Sequence, residues 1–213
     1  MNDLQIVGRR SSHFTRMALL FADELAVAVQ LVPIYDMTAM AAEAYAGNPA
    51  LKLPILRQGD TVLFGAQNIC RAIAERASGA AHVVWPEQLR DTASRNAQEL
   101  VWHGMAAQVQ LVLGTSVCKL PADNAYFTKA RAGFEGALAW LDANVEAALA
   151  ALPVQRDLSM LEVSLFCLLD HLAFRPTVSL QDCSSLLRFT KAFGARPAAQ
   201  RTAYQFDLPL AGS

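Results

Sequence analysis

Charge is scarce and unbiased in this chain: 18 Lys and Arg stand against 19 Asp and Glu in 213 residues, leaving a formal net charge of -1. A surface without an excess of one sign has no general attraction for phosphate backbones or anionic lipid, so nucleic acid and membrane surfaces are not expected partners. No uncharged apolar run reaches the roughly 18 residues a membrane span needs, and Met1-Asn2-Asp3-Leu4 lacks a basic stretch leading into an apolar one. Neither membrane spanning nor secretion is therefore expected, and the cytoplasm is the expected compartment. Cysteine is sparse too. Cys70, Cys118, Cys167 and Cys183 form no Cys-x-x-Cys pair and keep no metal-ligand spacing to His13, His82, His103 or His171. No metal site is expected, and the thiols read as buried apolar groups.

What is present is apolar: 54% of residues are hydrophobic and 17% charged, the composition of a globular chain long enough to bury a core in one or two domains. The first 77 residues alternate strand-like and helix-like patterns, which predicts an α/β unit. Leu4 to Val7 reads as a strand. Gly8-Arg9-Arg10-Ser11-Ser12 is a polar loop, and Phe14, Met17, Ala18, Phe21 and Leu25 carry the spacing of one helical face. Val29 to Ile34 predicts a second strand, Met37 to Ala46 a short irregular helix, Ile55 to Arg57 with Val62 to Phe64 a hairpin, and Ile69, Ala72 and Ile73 a further helix. From Pro86 onward strand patterns give way to long Ala- and Leu-rich segments, which puts a boundary near residues 78–85 and predicts domains 1–78 and 86–213. Pro86 suits the first position of a helix running to about Leu113. A second long helix is expected over Asn124 to Ala151, ended by Pro153, and Ser159-Met160-Leu161-Glu162 has the form of a capping box.

The most informative segment is Asn48-Pro49-Ala50-Leu51-Lys52-Leu53-Pro54-Ile55-Leu56. An X-Pro bond adopts the cis form at a cost of about 0.5–1 kcal/mol, and where it does so Leu53 can present its N–H and C=O outward from the strand end. The alternative is that Pro54 simply begins an edge strand. The segment resembles the Asn-Pro-x-x-Lys-Val-Pro-x-Leu stretch of the glutathione transferase superfamily. The Ser159 to Glu162 cap with its apolar helix, and Arg196-Pro197 followed by Thr202, resemble that family's later landmarks in order and distance. The resemblance implies an α/β thioredoxin-like N-terminal domain plus an all-α C-terminal domain. It also implies glutathione as cosubstrate with no permanently bound cofactor, a small hydrophobic electrophile as second substrate, and a homodimer.

Residue roles follow from the same likeness. Ser12-His13-Phe14-Thr15-Arg16 is similar to the Ser-Pro-Phe region of serine-type members, so Ser12, with Ser11 as the alternative, is the candidate hydroxyl that stabilises the glutathione thiolate. Both serines also fit simple N-capping of the following helix. Leu53 and Pro54 would receive the cysteinyl backbone of glutathione, and Lys52 its glycyl carboxylate, unless Lys52 is a solvated surface residue. The family's usual Glu-Ser pair, which holds the γ-glutamyl ammonium and carboxylate, is replaced here by Gly65 and Ala66. Amides around Ala66 and Gln67 can still offer a helix N-terminus to a carboxylate. Trp102, His103, Ala106 and Gln110 lie near one face of the long helix and are candidates for an electrophile pocket, with core packing as the alternative. Two readings result: a thiol-activating transferase, or a non-catalytic ligand-binding or protein-interaction module on the same fold.

Overall fold

The computed structural model describes residues 4–207. They form two compact units, one reaching Ala81 and taking back the chain from Arg196, the other His82–Ala195. The expected domain 86–213 includes that final stretch. Its return to the first unit depends on ion pairs to residues more than 170 positions away, described below.

In the first unit β1 (Gln5–Gly8) leads through a tight loop into α1 (His13–Glu24), which returns the chain to β2 (Gln30–Pro33) alongside and parallel to β1. β3 (Ile55–Gln58) lies antiparallel on the other side of β1, and β4 (Thr61–Phe64) closes a hairpin on β3, giving the order β2-β1-β3-β4. α2 (Ala66–Ala74) follows and packs on α1. Val7 and Ile55 belong to a core cluster with Ile34 and Tyr45, against which the half-buried Leu51 and Leu53 pack. Glycine at position 8 has a packing reason. A Cβ there would come within 2.5 Å of Thr15 Oγ1 and 2.7 Å of Thr15 Cγ2, so any side chain would push α1 off the end of β1.

The expected helix over Met37–Ala46 is only a 3-10 turn, Ala42–Tyr45. Asp36 Oδ1 takes the Thr38 N–H (2.8 Å) and hydroxyl (2.7 Å), an Asx turn that competes with helix start. At the far end Ala46 is left-handed, with φ 52°.

The second unit is helical: α3 (Thr92–Leu111), α4 (Ala125–Ala150), α5 (Met160–Phe174) and α6 (Ser184–Gly194), with a two-residue parallel pairing of β5 (Val83–Val84) and β6 (Leu158–Ser159). α5 is apolar on nearly every side and eleven of its 15 residues are buried, which makes it the central helix of this unit. Gly104 permits the close approach of its neighbours to α3, since a Cβ there would sit 2.9 Å from both Leu168 Cδ2 and Phe134 Cε2.

α3 starts later than expected. Pro86–Gln88 forms a separate 3-10 turn, closed by the Trp85 N–H donating to Gln88 Oε1 (2.8 Å), and the helix begins where Asp91 Oδ2 accepts from Ala93 (2.7 Å) and Ser94 (3.2 Å). A carboxylate binding two orphan amides is the stronger start signal. At its other end α3 widens into a π-helical turn over Val112–Val117. Ser159 caps α5 by accepting from the Glu162 N–H (3.1 Å), while the Glu162 carboxylate accepts from the Ser159 hydroxyl (2.7 Å) and from Arg156 Nε and Nη2 (2.9 and 2.6 Å).

Candidate functional site

β1, β3 and β4 bring three chain segments to one end of the first sheet. The paired registers stop at Val7 with Ile55 and at Ile55 with Phe64. Gly8 follows Val7, Pro54 precedes Ile55 and Gly65 follows Phe64 at this end of the sheet. Leu53 therefore lies beyond the ladder, between the first loop and the start of α2, with its side chain packed on the core cluster. The Leu53–Pro54 peptide bond is cis. The loop before it is shaped by Asn48, a buried side chain whose Nδ2 donates to the Lys52 carbonyl (2.8 Å) and whose Oδ1 accepts from the Ala50 N–H (3.0 Å). The Asn-Pro dipeptide signals such a turn. Nothing in the sequence alone showed that its side chain fastens both ends of it. The Lys52 side chain is exposed.

Both helices that begin at this end present their N-termini to it, and neither has an acidic residue in its first turn. Their partial positive ends are thus not neutralised by their own first-turn side chains. Ser12 caps α1: its Oγ accepts from the Thr15 N–H at 3.3 Å. Capping leaves the donor side of the hydroxyl uncommitted, because a hydroxyl has one donor and two acceptor positions and capping consumes only an acceptor. Ser12 is half-buried, whereas Ser11 is buried at 8% exposure, which favours Ser12 as the group that meets a ligand. Thr15 completes the corner by accepting the Arg9 N–H (3.3 Å).

The start of α2 is different. Gly65 precedes it with φ 89° and no side-chain cap, and its neighbour Asn68 is turned back onto the Phe64 carbonyl (3.1 Å). The first-turn amides of Ala66 and Gln67 follow directly. Space exists where a side chain at 65 would project, the nearest atom to a Cβ being Asn68 Nδ2 at 4.0 Å.

His13 is buried and makes an edge contact with Phe14, ring centroids 4.6 Å apart. Arg16 is also buried, at 1% exposure. Its Nη2 donates to the Ala199 carbonyl (3.0 Å), and its guanidinium lies 4.2 Å from the centroid of the Tyr204 ring. It is a structural anchor for the returning chain.

In the helical unit, an open groove of about 480 Å3 runs between α3 and α4. His103 and Gln110 line it with Tyr126, Lys129 and Gly133, whereas Trp102 and Ala106 are not among its walls. On a 100° helical wheel residues 102 and 106 sit on the arc beside the groove. Among the described residues no group of three or more His, Cys, Asp or Glu side chains is placed to hold a metal ion, and no helix is long and apolar enough to cross a membrane.

Residues 11–76 match the family model of the glutathione S-transferase N-terminal domain. Among solved structures, the chain is similar to a glutathione transferase family member from Pseudomonas fluorescens Pf-5 with bound glutathione (TM-score 0.77, 22% identity, 95% of this chain and 100% of that one). A glutathione S-transferase from Methylobacillus flagellatus with glutathione bound is comparable (0.75, 22%, 95% and 100%), as is one from Methylobacterium radiotolerans in complex with glutathione sulfonate (0.74, 15%, 99% and 100%). No curated protein matches the chain. The family match covers residues 11–76 alone, and the solved structures share the fold: an α/β N-terminal domain with a helical C-terminal region.

Proposed function

We propose that the protein binds glutathione at the sheet end formed by Ser12, Leu53 and Ala66 and activates its thiol for attack on small hydrophobic electrophiles. The observation that carries this reading is the convergence of a capping hydroxyl with an uncommitted donor position, a main chain beyond the ladder, and two helix N-termini without acidic first turns. Each element has a counterpart in the ligand: thiolate, cysteinyl backbone and carboxylate. A free thiol with a pKa near about 8.5 is only a few per cent ionised at pH 7, and a hydrogen-bond donor beside a helix N-terminus lowers that pKa by one to several units. In the reaction the thiolate sulfur forms the new bond to the electrophile, whose leaving group departs with the electron pair, and Ser12 supports the sulfur's charge before attack. Pro54, Lys52 and Gly65 border the bound tripeptide, and Gln67 adds a neutral hydrogen bond beside the position where a γ-glutamyl acid contact is lacking. We further propose a cytoplasmic homodimer, the compartment being one whose redox poise keeps glutathione reduced.

Calorimetric titration with reduced glutathione, with thiolate absorbance followed in the wild type and in Ser12→Ala, tests the reading. Millimolar or tighter binding with a depressed thiol pKa that the substitution restores supports it. No heat at several millimolar overturns it. A second reading has its own observation: Gly65 and Ala66 give α2 no side-chain cap and no acidic partner for an ammonium, which suits a non-catalytic ligand-binding or protein-interaction module. Binding without any shift in thiol pKa would select it.

A further inference from the structure

The C-terminal stretch of the first unit is fastened along α1 from one end to the other. At the C-terminal end of α1, Arg196 Nε and Nη2 fork onto Glu24 (2.6 and 2.8 Å), and Arg201 pairs with Asp23, its Nε 2.9 Å from Oδ2. Midway, Arg16 donates to Ala199 and faces the Tyr204 ring. At the N-terminal end, Asp207 Oδ1 accepts the Arg10 N–H (3.2 Å) while its Oδ2 lies 3.7 Å from Arg9 Nε. The Asp207 side chain is 5% exposed, and Arg9 also donates from Nη1 to the Tyr35 carbonyl (2.9 Å). The loop that carries Ser12 is thus gripped by a carboxylate from the far end of the sequence. The grip is transmitted directly, because the Ser12 N–H donates to the Arg9 carbonyl (3.1 Å) within the same turn.

We propose that Asp207 is a positioning residue for the Ser12 hydroxyl, and that the strap over residues 196–207 sets how strongly the thiol site stabilises a thiolate. Arg9 would otherwise be a mobile cation beside a loop with four polar side chains in a row. Paired with Asp207 and Tyr35, it fixes the backbone from which Ser12 projects. The carboxylate accepts a main-chain N–H and forms an ion pair with the Arg9 guanidinium, and that pairing of charges is what a neutral amide cannot reproduce. Asp207 acts through the loop and does not touch the sulfur.

The inference rests on the functional reading above, and two measurements on the full-length protein keep the two apart. Amide hydrogen exchange in the ligand-free protein compares wild type, Asp207→Asn and Asp207→Glu at residues 9–12. The pH dependence of thiolate absorbance with saturating reduced glutathione compares the same three. Faster exchange at Arg10 and Ser12 in Asp207→Asn is expected, together with a bound-thiol pKa raised by about 0.5–1 unit, roughly a three- to tenfold loss of thiolate at a fixed pH below it. Glutathione affinity should change little and Asp207→Glu should recover part of the shift. Unchanged exchange overturns the proposal whatever the enzyme does. Faster exchange with an unchanged thiol pKa overturns it as well, since the loop is then held without consequence for Ser12. A wild type that ionises no bound thiol overturns the functional reading and this proposal with it, and is recognised in the unsubstituted control.

Discussion

Replacing Ser12 by Asp separates the cap that its hydroxyl makes from the thiolate support proposed for it. In the folded protein its oxygen accepts from Thr15 N–H at 3.3 Å, long for such a bond. Loss of the cap in Ser12→Ala should therefore cost about 0.5–1 kcal/mol, the lower part of the usual range for cap removal. A carboxylate at position 12 can accept the same bond and meets the positive end of α1, so Ser12→Asp should match or slightly exceed the wild type in urea unfolding. It cannot donate to a thiolate, and it places a like charge beside one. The thiol pKa should return to about 8.5 or rise above it, each unit corresponding to about 1.4 kcal/mol of lost stabilisation. Ser12→Thr retains both functions and should behave as the wild type within a few-fold. Parallel urea melts and thiolate titrations of the three variants read the two effects independently. Ser12→Asp with wild-type thiolate formation would refute the assignment of the hydroxyl and leave Ser12 a cap alone.

Restoring a hydroxyl at the start of α2 with Ala66→Ser should tighten glutathione by roughly 10- to 100-fold if it adds one charge-assisted hydrogen bond of about 1.5–3 kcal/mol, read by calorimetry; Gln67→Ala should weaken it, and unchanged affinity would remove Gln67 from the site. Arg16→Met should lower unfolding free energy by about 2–4 kcal/mol in urea melts, because a bond from a charged donor and a cation–π contact are lost together in the core. The glycines of the helical unit should behave oppositely. Gly104→Val should cost about 1–3 kcal/mol through overpacking against Leu168 and Phe134. Gly133→Ala, with no atom within 4 Å of the added Cβ, should gain about 0.5–1 kcal/mol from helix propensity. Light scattering at micromolar concentration should report twice the 23.1 kDa chain mass, and a monomer there would refute the dimer.

Local patterns made much of the first unit legible. β1, α1, β2 and the β3–β4 hairpin lie within a residue or two of their expected positions because each is defined by its own periodicity and by turn residues at its ends. Elements failed where two local signals competed. Pro86 and Asp91 both mark helix starts, and the carboxylate with two amides prevailed. Asp36 offers an Asx turn within the segment expected as a helix, and the turn prevailed. At the candidate site, the segment around Leu53 and the substitution at Gly65 and Ala66 could be read because they are contiguous in sequence. Asp207, Tyr204 and Ala199 could not, since their partners on α1 and its loop are separated from them by more than 170 residues and no periodicity records such a pairing. The groove between α3 and α4 was not legible, because a helical wheel gives only an arc of polar or small residues on α3 while the packing of α4 decides which part of it becomes a groove.

Amide chemical-shift mapping of isotopically labelled protein titrated with reduced glutathione locates the ligand on the first unit or elsewhere. Saturable shifts at Ser12, Leu53, Ala66 and Gln67, sharing one dissociation constant, are expected. Shifts confined to the α3–α4 groove around His103, Lys129 and Gly133, or none at several millimolar ligand, would contradict the placement of glutathione on the first unit.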